Sequence, residues 1–167
     1  TVSKKSRIIA SQQQVVRYDR ESSDDIDIQS QKTLISIFKK IIKNYEVILL
    51  SDYGKGVLTN KVTSTLIKLA NIDGIKVLVD PKGANYSKYK GAFLLTPNQK
   101  EASEATNTNI KDNESLLKAI TKLKLDFKLN ISLITMSEQG IAIYDNKLRI
   151  KPTITKEVFD VTGAGDT

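Results

Sequence analysis

Apolar residues along the chain fall into short runs separated by polar or glycine-bearing steps, and the spacing changes from segment to segment. Arg7-Ile8-Ile9-Ala10 and Val15-Val16-Arg17-Tyr18 are β-like runs joined through a glutamine-rich step, and they predict strands over 6–10 and 14–18. Ser22-Ser23-Asp24-Asp25 breaks the pattern as a polar loop. From Ser30, the positions Leu34, Ile35, Phe38, Ile41 and Ile42 recur at helical spacing and predict an amphipathic helix of about three turns. Residues 46–50 are nearly continuously apolar, the pattern of a strand buried on both faces as in parallel sheets.

Thr59 is placed to cap the next helix, whose Val62, Leu66, Leu69 and Ala70 share one face before Asp73-Gly74 closes it. Lys76-Val77-Leu78-Val79-Asp80 then predicts a buried strand ended by Pro81, so strand, helix and strand make a βαβ unit with the right-handed crossover such units adopt. Residues 92–95 predict a third strand, stopped by Thr96-Pro97. A helix begins at or near Asn98, with Glu101 in its first turn. Residues 113–127 predict another helix with Leu116, Leu117, Ile120 and Leu123 inward, and 131–135 a fourth buried strand. Residues 140–144 and 148–150 predict a hairpin turning at Asp145-Asn146. No internal repeat or low-complexity linker is visible. The order predicts one α/β domain with a mainly parallel sheet, helices on both faces and antiparallel strands at the end.

In open α/β sheets ligands bind beyond the carboxyl ends of the strands. The residues there are polar throughout: Ser51-Asp52-Tyr53-Gly54-Lys55, Asp80-Pro81-Lys82-Gly83, Thr96-Pro97-Asn98 with Glu101, and Thr135-Met136-Ser137-Glu138-Gln139-Gly140. Each has a structural account of its own, as turn former, solvated lysine, hairpin punctuation or first-turn helix charge. Their coincidence on one sheet edge points to a site.

Composition narrows the chemistry. With 167 residues and 40% hydrophobic content there is material for one sizeable core. No apolar run approaches the roughly 20 residues a membrane span needs, and the amino-terminal residues have charge but no apolar h-region, so a cytoplasmic protein without a membrane partner is expected. The absence of cysteine excludes disulfides and thiolate metal sites, and the absence of histidine excludes Ser-His-Asp, Cys-His and HExxH chemistry. Catalysis is left to carboxylates, lysines, hydroxyls and backbone amides. The net charge of +7 is spread along helical faces and only 6% of residues are aromatic, which argues for a solvated basic surface and against a nucleic-acid partner. Positive potential agrees with a phosphorylated substrate and a nucleotide.

The last residues carry the sharpest signal. In Gly163-Ala164-Gly165-Asp166, glycines around one alanine let the backbone turn tightly and present consecutive N–H groups to an anion, with Asp166 beside them as a candidate proton acceptor. Read alone, the four residues also fit a plain loop ending in a helix cap. Gly54-Lys55-Gly56 lacks the third glycine of GxGxxG, and GxxxxGK[ST] occurs nowhere, so neither a Rossmann cofactor site nor a P-loop has its motif.

Taken together, Asp160-Val161-Thr162-Gly163-Ala164-Gly165-Asp166-Thr167 resembles the carboxyl-terminal signature of the ribokinase-like carbohydrate kinases, and Asn98-Gln99-Lys100-Glu101 resembles their NxxE motif. Within that family the chain is most similar to kinases of D-glycero-β-D-manno-heptose 7-phosphate. That similarity rests on Gln13-Gln14 with Arg17 and Asp19, and on the Ser-Asp-Tyr-Gly-Lys-Gly, Asp-Pro-Lys-Gly, Leu-Thr-Pro-Asn and Ser-Glu-Gln-Gly segments at 51–56, 80–83, 95–98 and 137–140.

The resemblance implies a three-layer α/β/α sandwich, present as a fragment, over residues 1–167. The family's opening sugar-binding segment and its helices after the Gly-Ala-Gly-Asp turn have no counterpart here. It implies MgATP-dependent phosphorylation of the anomeric hydroxyl of the heptose phosphate, with Asp166 as base and Gly163, Ala164 and Gly165 as the anion hole. Asn98 and Glu101 would organise ATP and Mg²⁺ through water, Ser137 and Gly140 would line the nucleotide, and Arg17, Asp52, Lys55 and Lys82 are the expected substrate-binding residues. Asp160 and Thr162 stand where some relatives hold a monovalent cation such as K⁺. A homodimer and a fused nucleotidyltransferase domain outside this chain are further expectations. Another carbohydrate kinase of the family, and a non-catalytic nucleotide-binding fragment, are the alternatives.

Overall fold

The computed structural model describes residues 4–10, 13–83 and 85–153. The chain opens with β1 (Lys4–Ala10) and β2 (Gln13–Arg20), which form an antiparallel pair with an irregularity between Ile8 and Ile9. Then follow α1 (Ile28–Ile41), β3 (Val47–Ser51), α2 (Asn60–Ile72), β4 (Lys76–Asp80) and β5 (Leu94–Leu95). The order ends with α3 (Gln99–Thr106), α4 (Asn113–Asp126), β6 (Ile131–Thr135), β7 (Ile141–Tyr144) and β8 (Leu148–Lys151). The helix starts are fixed locally: Asp27, Thr59, Asn98 and Asp112 each accept a backbone N–H of the following turn, which satisfies donors the helix itself cannot pair.

β3 to β8 form one six-stranded sheet in sequence order, parallel from β3 to β6 and antiparallel from β6 to β8. β5 has two residues where the sequence predicts four. Its flanks still bond singly, with Phe93 N–H donating to Val77 O at 2.8 Å and Thr96 N–H to Val79 O at 3.0 Å. α2 packs on β4, and α4 on β6 and β7, against the sheet face that carries Leu50, Val77, Val79, Leu95, Ile134 and Ala142. Successive strand residues alternate faces, so Leu49, Leu78, Leu94 and Leu133 stand on the opposite face. Leu49 is exposed and the other three are half-buried. Among the described residues the sheet and one helical layer are present.

Three sequence expectations are corrected. Among the described residues β3 stands at an edge of the sheet with Val47 and Leu49 exposed, and only Leu50 of it is buried; an apolar run alone does not tell an edge strand from a central one. In α4, Leu117 faces solvent and Ala119 takes an inward place. In α1 no residue is fully buried: Leu34, Ile35 and Phe38 pack against the core from its margin, and Ile41 is exposed.

Candidate functional site

The carboxyl ends of β3, β4, β5 and β6 lie side by side, tied by the backbone. Asp52 N–H donates to Asp80 O at 3.0 Å, Thr135 N–H donates to Pro97 O at 2.9 Å, and Asn98 pairs with Thr135 in a parallel bridge. The polar clusters at 51–56, 80–83, 96–101 and 135–140 thus become neighbours along one edge.

Asp52 has a different part from the expected contact with sugar. It is buried, with Oδ2 accepting from Lys88 Nζ at 2.5 Å and from the Tyr89 hydroxyl at 2.6 Å, while Oδ1 accepts from Gly54 N–H at 2.7 Å. Burial pushes its carboxyl up, but the bonds from Lys88, Tyr89 and Gly54 outweigh burial and hold it below the usual aspartate range. Burial, and then the bond to Asp52, push the Tyr89 hydroxyl well above the usual tyrosine range, so it remains a donor. The same hydroxyl accepts from Lys82 N–H at 3.1 Å.

The two lysines of the glycine-bearing loops remain nearer the surface. Lys55 pairs with Glu21, which joins the β3 loop to the segment after β2, and Ile26 N–H donates to Gly56 O at 2.9 Å. Gly56 has φ +75°, and a Cβ there would lie 1.8 Å from Asp24 O, so the two segments approach at a distance only glycine permits. Lys82 has an exposed side chain whose Nζ lies 3.6 Å from Glu101 Oε1.

Asn98 and Glu101 close a capping box at the start of α3. Asn98 Oδ1 accepts from Glu101 N–H at 2.9 Å, and Glu101 Oε2 accepts from Asn98 N–H at 3.0 Å. Among the described residues no three Asp or Glu side chains gather as a metal cage. One carboxylate and one exposed amide fit a hydrated Mg²⁺ held through its waters, the mode this ion favours. Ser137 and Gly140 occupy the turn between β6 and β7, adjacent to this cap through Thr135. Met136 N–H donates to Gly140 O at 2.8 Å, and Thr153 Oγ1 donates to Glu138 O at 2.9 Å, which holds the turn against the chain after β8.

Lys55, Lys82, Asn98, Glu101, Ser137 and Gly140 therefore share the edge. Arg17 lies in β2 opposite Arg7, in the two-stranded sheet and not in the six-stranded one. Asp160, Thr162, Gly163, Ala164, Gly165 and Asp166 lie outside the described residues. Sequence reasoning missed Lys88 and Tyr89. They sit in a single 3-10 turn, Ser87–Tyr89, with no periodicity to mark them, and their partner Asp52 is 36 and 37 residues distant.

Lysines, a capped helix start and a tight turn thus gather at the carboxyl edge of a mainly parallel sheet, the place where α/β domains bind their ligands. The profile described as pfkB family carbohydrate kinase matches residues 3–167, and the chain belongs to that family: it is of the sugar kinase class. The bifunctional protein HldE of Aliarcobacter butzleri (strain RM4018) is 64% identical over 165 residues, covering 99% of this chain and 35% of that protein. HldE of Sulfurimonas denitrificans is 56% identical with the same coverage. The chain thus spans about a third of the length of these curated relatives.

Among solved structures, the tetrameric inhibited form of phosphofructokinase-2 from Escherichia coli superposes with TM-score 0.72 at 21% identity, covering 90% of this chain and 51% of that one. Ribokinase of Arabidopsis thaliana, complexed with ribose and ATP, gives 0.68 at 18% identity, with 90% and 49% covered. The fold is ribokinase-like.

Proposed function

We propose that this chain is the kinase portion of a bifunctional enzyme that transfers the γ-phosphoryl group of ATP to the anomeric hydroxyl of D-glycero-β-D-manno-heptose 7-phosphate. The product is the 1,7-bisphosphate, a precursor of ADP-heptose and of the lipopolysaccharide inner core, made in the cytoplasm where ATP is held. The observation that carries the reading is Lys82 Nζ at 3.6 Å from Glu101 Oε1, which brings the Asp-Pro-Lys-Gly segment to the NxxE segment on one edge. In this reading Lys82 and Lys55 receive the distal phosphate of the sugar, and Ser137 and Gly140 line the nucleotide.

Asp166 takes the proton of the anomeric hydroxyl as that oxygen bonds to the γ-phosphorus. The bond from phosphorus to the bridging oxygen breaks, and ADP leaves with the electron pair. The N–H groups of Gly163, Ala164 and Gly165 hold the oxygens of the transferring group. Asn98 and Glu101 would hold Mg²⁺, which would supply positive charge to the phosphates, and Asp160 and Thr162 would hold a monovalent cation such as K⁺.

The test is ADP release by the full-length protein. Heptose 7-phosphate is expected to be used far better than unphosphorylated heptose, and Asp166→Asn to lower turnover by about 10² to 10⁴ while ATP still binds. Near-normal turnover by a folded Asp166→Asn protein removes Asp166 from the mechanism. Equal use of ribose or fructose phosphates moves the protein to another carbohydrate kinase of the family.

A further inference from the structure

We propose that Lys88 and Tyr89 are positioning residues: with Asp52 they form a buried clamp that fastens the loop after β3 to the loop after β4, and so set where Lys55 and Lys82 stand. The proposal rests on the reading of those two lysines as receivers of the sugar's phosphate. Three bonds meet at the Asp52 carboxylate, from Lys88 Nζ, the Tyr89 hydroxyl and Gly54 N–H. Lys88 Nζ also donates to Leu58 O at 3.0 Å, so one ammonium grips the 52–58 loop at both ends. Tyr89 crosses to the other loop by accepting Lys82 N–H at 3.1 Å.

Both loops need such support. Gly54, Gly56 and Gly83 all have positive φ, between +64° and +78°, in stretches that contribute no residue to the sheet beyond Ser51 and Asp80. Glycine loops are entropically soft, and an ammonium group whose backbone wanders by an ångström loses much of its grip on a phosphate. The clamp itself is rigid. Tyr89 is fully buried and stacks edge-on against Tyr86 at 5.5 Å, and Tyr86 in turn packs on Phe127. The Lys88 side chain is 16% exposed, and that of Asp52 3%. Asp52 and Tyr89 are buried and bonded to each other, and Lys88 spends two of its three N–H donors on Asp52 and Leu58, so in this proposal their effect on catalysis runs through Lys55 and Lys82.

A purely structural pair would lower stability and leave substrate preference alone, whereas a positioning clamp is felt by the phosphorylated sugar. Tyr89→Phe keeps the ring and deletes the hydroxyl bond to each loop. In the full-length protein it is expected to raise KM for heptose 7-phosphate about tenfold, with KM for ATP within twofold and no added penalty when unphosphorylated heptose is the acceptor. Lys88→Met is expected to act in the same direction. A folded Tyr89→Phe protein with unchanged KM for heptose 7-phosphate, or an equal penalty on both sugars, overturns the clamp. If Tyr89→Phe does not fold, the pair Asp52→Asn with Lys88→Met, which removes both charges of the buried ion pair together, carries the same measurements. If the wild-type protein does not use heptose 7-phosphate at all, the substrate reading fails. The clamp is then judged by hydrogen exchange: faster exchange of the Gly54 and Lys82 amides in Tyr89→Phe than in wild type upholds it, and unchanged exchange there refutes it.

Discussion

At the scale of single residues, Asp52 shows how the same carboxylate reads differently from the sequence and from the fold. Beside tyrosine, glycine and lysine at a strand end it has the company of a substrate ligand, yet its oxygens are taken by Lys88, Tyr89 and Gly54. Its folded-state acidity is strengthened, so it adds stability in full above the ordinary aspartate value of about 3.9 and loses it as pH falls through the lowered folded value. Urea midpoints between about pH 2 and 7 should therefore fall more steeply below about pH 4 in the native protein than in Asp52→Asn. Equal slopes would show that Asp52 is not the ionised partner of Lys88. Removing Lys88 alone strands a buried charge and should cost about 3 kcal/mol.

Among the elements, α3 is the most dependent on its start. It has eight residues and ends at Asn107 in the left-handed region, so the Asn98–Glu101 box secures a large part of it. Asn98→Ala should lower stability by about 1 kcal/mol. Glu101→Gln separates the cap from the chemistry: glutamine still accepts Asn98 N–H, and the lost attraction to Lys82, which is largely solvent-screened, is worth well under about 1 kcal/mol. Melting should barely change while turnover with MgATP falls at least tenfold, given as about 1.4 kcal/mol in the barrier. Unchanged turnover would leave Glu101 as a helix cap and nothing more.

For the whole molecule, the sheet is clothed unevenly among the described residues. The face toward α2 and α4 is sealed, with Val77, Val79, Leu95 and Ile134 fully buried. The other face and the β3 edge present Val47 and Leu49, and the β1–β2 pair presents Ile8, Ile9, Val15 and Tyr18. Apolar area of this kind beside an open strand edge drives association. The 167-residue chain expressed alone should therefore sediment as oligomers, and a monomer over the micromolar range would contradict the expectation.

Much of the fold was legible because its signals are local. The bounds of β4 and β6, the Thr59 cap and the Asn98 start with Glu101 in the first turn follow from periodicity and hydrogen bonds within four residues. The gathering of Lys55, Lys82, Asn98, Glu101, Ser137 and Gly140 on one edge was legible too, since a βαβ order dictates which strand ends are neighbours. Only the tertiary structure decided that β3 lies at an edge of the described sheet, that Leu117 faces water, and that Asp52 is claimed by Lys88 and Tyr89. Whether a strand has a neighbour on each side, and which of several lysines meets a given carboxylate, depends on distances across the folded chain. No spacing along the sequence encodes them, so which residues share the edge was readable while the partners of Asp52 were not.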